Sequence, residues 1–190
     1  MRIALGFSRT NNLPSRMIRW FTRSQISHTY IRLYIPTFRK HFILHADWDG
    51  VKFDLAEKFE IENIILEEYI VDDSRLDASI IKNLWHLGKK YDYIKLFNWA
   101  WAIILKRWFI RKVKDPVIDP KKLICTDFAI YIFNGAGITN LKIGHMAPAD
   151  MVDWCRQHYE SLNWKRIVRD EGKTFLDRIK EILTGEDIKK

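Results

Sequence analysis

Apolar and polar positions alternate strictly over residues 27–35. Thr29, Ile31, Leu33 and Ile35 fall on one face, and His28, Tyr30, Arg32 and Tyr34 on the other. This period-two pattern predicts a half-buried strand. A second strand is expected over 41–46, and Asp47-Trp48-Asp49-Gly50 reads as a turn because Asp-Gly tolerates positive φ. Residues 51–54 and 62–71 continue the sheet, and 2–8 form a short first strand. Helical spacing takes over elsewhere. A helix is expected over 14–24, with Pro14 in its first turn. Leu76, Ile80, Leu84 and Leu87 predict another over 72–90, with Asp73 or Ser74 as N-cap. Further helices are expected over 97–110, 125–134, 148–159 and 174–183. Asp115-Pro116 and Asp119-Pro120 break the chain before the second of these, and Gly135 and Gly137 stop it. Strands come first as hairpins and helices cluster later, an α+β arrangement.

The chain has 190 residues, enough for one domain with a sizeable core. Residues 91–114 can form a helical lid or insertion, and 165–190 are expected to be a C-terminal helical extension. Hydrophobic content of 47% with 29% charged residues is ordinary for a soluble globular chain. Residues 91–110 are interrupted by Lys95, Asn98, Lys106 and Arg107, so no apolar run reaches the roughly 20 residues of a membrane span. No secretory leader is recognisable at the start, and the two cysteines, Cys125 and Cys155, make no disulfide framework. A cytoplasmic, reducing setting is therefore the expectation.

The net charge is +8 and the isoelectric point about 9.4, which favours an acidic partner such as an anionic membrane surface. Residues 1–46 hold no acidic residue at all, 47–77 are mostly acidic, and 82–122 are basic again. No zinc-finger spacing, RNP-like motif or basic-region helix speaks for nucleic acid.

Two positions carry candidate chemistry. His28 opens a predicted strand, and Cys125 opens a predicted apolar helix. A thiol acts as a nucleophile only as thiolate, and free helix-start amides with a nearby imidazole favour that form. A hairpin turn centred between Pro36 and Thr37 would set Tyr34 opposite Arg39 and His28 opposite His45, with Cβ atoms about 5 Å apart. A second imidazole there could fix the tautomer of the first. Cys155 lies in mid-helix, without free amides, and reads as packing beside His158. His41, His86 and His145 read as structural or surface residues. Two histidines and a cysteine could bind zinc, but the spacing matches no zinc signature, so neither metal nor cofactor is expected.

Several segments together resemble the circularly permuted NlpC/P60 proteins of the papain-like superfamily. They are Ile26-Ser27-His28-Thr29-Tyr30-Ile31, Ile43-Leu44-His45-Ala46 with Gly50-Val51-Lys52, Gly88-Lys89-Lys90-Tyr91-Asp92-Tyr93, Ile124-Cys125-Thr126-Asp127 and Ala147-Pro148-Ala149-Asp150-Met151. The YiiX/YebB-like branch is the nearest likeness, and lecithin:retinol acyltransferase-like proteins are more distant. The resemblance spans roughly residues 6–154. It implies an antiparallel sheet packed against helices, with Cys125 as nucleophile, His28 as base and acid, and His45 as the orienting residue. It further implies Tyr91 beside the oxyanion hole. That family usually has Cys-Ser-Glu where this chain has Cys125-Thr126-Asp127, a conservative departure.

The implied activity is cysteine-dependent hydrolysis of an amide, peptide or ester bond through an acyl-enzyme, with a peptide, cell-wall peptide or lipid-like acyl substrate. Transfer to an alcohol or amine would make the same triad a lipid acyltransferase or thioesterase. A non-catalytic module binding a polyanion through the basic N-terminal region is the alternative from another class.

Overall fold

The computed structural model describes residues 2–47, 50–84, 87 and 124–169. The expected elements over 97–110 and 174–183, the lid segment 91–114, His86 and Tyr91 lie outside them.

Six strands form one antiparallel sheet: β1 (Arg2–Arg9), β2 (His28–Ile35), β3 (Lys40–Asp47), β4 (Gly50–Leu55), β5 (Ile64–Val71) and β6 (Lys165–Val168). Their spatial order is β4-β3-β2-β1-β5-β6. Five helices accompany them among the described residues: α1 (Leu13–Thr22), α2 (Ala56–Glu62), α3 (Arg75–Asn83), α4 (Cys125–Gly135) and α5 (Pro148–His158). The α+β class stands.

Sequence chemistry explains the element ends. The Asn12 side chain accepts the Ser15 amide at 2.9 Å and caps α1, while Pro14 occupies its first turn. Asp127 reaches back to the Ile124 amide at 3.5 Å and takes the Gly144 amide at 2.6 Å, tying the start of α4 to a distant loop. Asp150 accepts the Ala147 amide at 2.8 Å at the start of α5.

The sheet is covered on both faces, where alternation alone suggested one. Ile31, Leu33, Leu5 and Phe7 face the large core, with Leu76 and Ile80 of α3, Phe128, Ile132 and Phe133 of α4, and Met151 and Val152 of α5. Tyr30 and Ile43 face the other side and pack with Ala56 and Phe59 of α2 and with Ile65. That second layer is polar at its centre. Glu68 is bonded by the Tyr30 hydroxyl at 2.8 Å and ion-paired with Arg32 and Arg169, and both arginines also pair with Glu60. Burial of so many charges is tolerable because each is matched. Gly6 of β1 lies directly beneath the Tyr30 ring, where any Cβ would collide with it.

Three expectations need correction. The β2–β3 connection is a 3₁₀ turn over Pro36–Phe38, closed by Arg39 at φ 49°, so His45 pairs with Tyr30 rather than His28. The shift is two residues, which keeps His45 on the same face. Residue 62, expected to open a strand, instead ends helix α2 over 56–62, and residues 165–168 form strand β6 instead of helix. Each was masked by its brevity.

Candidate active site

The start of β2 is the focal point. Ser8 of β1 pairs with His28, and the β1–β5 register slips there: Phe7 opposes Glu67 but Ser8 opposes Ile65, so β5 carries an extra residue. Such bulges bend a sheet edge and re-aim side chains. The α1–β2 connection returns to the same place, where the Ser15 and Ser27 hydroxyls meet at 2.6 Å.

His28 Nε2 lies 3.1 Å from His45 Nδ1, and His45 Nε2 lies 3.2 Å from Asp54 Oδ2. The offset register makes this a diagonal pair, and the rings meet edge to face with centroids 5.2 Å apart. Phe59 packs on both rings. Burial would raise the Asp54 carboxyl, but the His45 bond and Lys58 outweigh it, so Asp54 is held below the usual carboxylate range. Burial pushes His28 well below an ordinary histidine, and the neighbouring His45 pushes it further. Burial also lowers His45, against the upward pull of Asp54 and Asp47. Both imidazoles are therefore neutral near pH 7.

These states fix the protons. An ionised Asp54 can only accept, so His45 Nε2 carries hydrogen and His45 Nδ1 is a lone pair. That lone pair accepts from His28 Nε2–H. His28 Nδ1 is then the unprotonated nitrogen, the form a base requires.

His28, His45 and Asp54 line a cavity of about 400 Å³, together with Ser15 and Ser27. Cys125 lies outside that lining and is 4% exposed. It does open α4, and its sulfur meets the backbone of Thr29, the residue directly after His28. Burial pushes the Cys125 thiol up, while the Thr29 backbone and the Thr126 hydroxyl, 3.9 Å away, pull the other way. The structure thus joins His28 to His45 and Cys125 to the next backbone amide, with no hydrogen bond from the His28 ring to the sulfur. The Thr29 hydroxyl is buried without a partner.

The remaining candidates have settled roles. Cys155 is fully buried, and burial with Glu67 nearby pushes its thiol far up. His158 stacks on Trp154 and bonds its carbonyl at 2.8 Å rather than meeting Cys155. His41 packs on Tyr34, and His145 is an exposed loop residue. Asp54 escaped the sequence reading. The signal was there, since Asp54 lies at the far end of the next strand on the face of His45 and Lys52. The Asp47–Gly50 turn pairs His45 with Lys52, and Asp54 follows two residues on, on the same face.

No family model matches the chain, and no curated protein matches it. Among solved structures it resembles the metalloprotein yiiX of Escherichia coli O157:H7, at 13% identity, with a TM-score of 0.50, over 90% of this chain and 89% of that one. This likeness is one of fold. Among the described residues, no group of three or more His, Cys, Asp or Glu is placed to hold a metal ion. His28 and His45 instead direct their nitrogens at each other and at Asp54. No described helix is long and apolar enough to cross a membrane.

Proposed function

We propose that this chain is a papain-like cysteine hydrolase, of the permuted NlpC/P60 kind, acting on an amide, peptide or ester carbonyl. The observation that carries the reading is the Asp54–His45–His28 chain. It leaves His28 Nδ1 unprotonated, and His28 directly precedes Thr29, whose backbone meets the Cys125 sulfur. The fold shared with yiiX is consistent with it.

In this reading His28 Nδ1 takes the Cys125 proton as the sulfur attacks the carbonyl carbon. His45, backed by Asp54, stabilises the imidazolium that forms, a role that grows with charge in the transition state. Backbone amides at the start of α4 hold the developing oxyanion. The imidazolium then protonates the leaving amine or alkoxide, and a thioester remains on Cys125. Water, activated by the neutral His28, hydrolyses it to the acid and restores the thiol. A neutral thiol and neutral imidazole at rest mean that the reactive ion pair forms on substrate binding rather than before it.

A panel of activated esters and peptide amides, followed by intact and peptide-level mass analysis, tests this. The expected result is an acyl adduct confined to Cys125, lost in Cys125→Ala and undetectable in His28→Ala. Turnover that persists in Cys125→Ala would overturn it. The burial of Cys125 outside the cavity lining favours a second reading, a binding module that keeps the fold. Adduct formation at Cys125 no faster than at Cys155 would support that reading instead.

A further inference from the structure

Helix α1 turns two different sides to its surroundings. Its inner side faces the site: Ser15 is buried, and Pro14, Ser15 and Ile18 line the cavity that holds His28. Its outer side is apolar. Leu13 is 69%, Met17 46% and Trp20 70% exposed, at positions i, i+4 and i+7 of one stripe. Exposed single apolar residues are ordinary, but three large ones aligned on one short helix are a contiguous patch.

The charge around the stripe selects its partner. Exposed Arg16 lies beside it at i+3, exposed Arg23 caps the end of the helix, and residues 1–46 contain no acid. A protein partner binding through the apolar residues alone would gain nothing from these arginines. A bilayer surface accepts both, because Trp, Leu and Met sink to the headgroup boundary while arginine stems extend to anionic phosphates.

We infer that the Leu13/Met17/Trp20 face of α1, with Arg16 and Arg23, is a docking surface for an anionic lipid bilayer. Docking would bring the His28 cavity, which shares the same helix, next to the membrane surface. The inference stands apart from the chemistry proposed for Cys125, and its test reads binding rather than turnover.

The test is flotation of the full chain with vesicles of phosphatidylcholine alone or with one-third phosphatidylserine. Binding is expected only to the anionic vesicles, and 0.5 M salt should release much of it. Arg16→Gln and Arg23→Gln should each lower the partition coefficient about fivefold, in line with the contribution of one basic residue near a charged surface. Leu13→Ser/Met17→Ser/Trp20→Ser should abolish binding, with far-UV circular dichroism confirming a folded chain. Should that triple variant not fold, the two arginine variants still decide the matter. Binding to anionic vesicles unaffected by these substitutions would overturn the inference. So would equal binding to neutral vesicles, or a dimer seen by sedimentation velocity that the triple variant abolishes.

Discussion

Replacing Asp54 by asparagine keeps the size of the side chain and removes its charge. The carboxylate now accepts from His45 Nε2 at 3.2 Å and holds the whole proton arrangement in place. A carboxamide can instead donate its N–H to that nitrogen. His45 would then carry its proton on Nδ1 and give it to His28 Nε2, which leaves hydrogen on His28 Nδ1 and removes the base that the proposed mechanism requires. Charge-assisted hydrogen bonds contribute about 1.5–3 kcal/mol. The side chain of Asp54 is 25% exposed, so the lower part of that range applies, and Asp54→Asn should slow reactions of Cys125 about 10- to 30-fold. The sign of the pH effect also follows. Asp54 favours protonated histidine, so its loss moves the acid limb of the rate profile to lower pH while the plateau falls. The assay is the rate of Cys125 alkylation by a small haloacetamide between pH 5 and 9, followed by mass spectrometry, with Cys155 as internal reference. A plateau within twofold of the parent and an unmoved acid limb would refute the coupling.

Three further outcomes are expected. Gly6→Ala should cost about 2–5 kcal/mol in urea unfolding, because the new Cβ must displace the Tyr30 ring from its bond to buried Glu68; a loss below 1 kcal/mol would show that the ring can slide aside freely. Thr29→Val should be neutral or raise stability by about 1 kcal/mol, since the Thr29 hydroxyl is buried without a partner, and a clear loss of stability would reveal a hidden bond. Burial would raise the Glu68 carboxyl, but Arg32 and Arg169 bring it down to about 2. Its folded value lies below its unfolded one, so its contribution is present above about pH 4.5 and disappears as pH falls towards 2. That contribution is on the order of 3 kcal/mol, and Glu68→Gln should flatten the acid limb of the stability profile, measured by thermal unfolding.

Much of this arrangement is legible in the residues. The alternation over 27–35 places His28 and His45 on one face, and that survives the wrong register because a two-residue shift preserves side-chain parity. The breakers before Cys125 and the apolar run after it locate α4. Burial of the second sheet face was harder to see. Arg32, Glu60 and Glu68 look like solvent positions in any hydropathy pattern, and only tertiary pairing makes them core. Helix α2 is only about two amphipathic turns, with Ala56 and Phe59 inward and Glu57 at its start, too short to announce itself by period. Asp54 depended on a three-strand register, and each added strand multiplies the alternatives. The distance between Cys125 and the His28 ring depends on how α4 meets the end of β2, which no local pattern encodes.

The most direct measurement is the alkylation rate of Cys125 at pH 7 in the parent and in His28→Gln. Activation of the thiol by His28 requires the rate to fall at least tenfold in the variant while Cys155 is unchanged. Equal rates in the two proteins would contradict it.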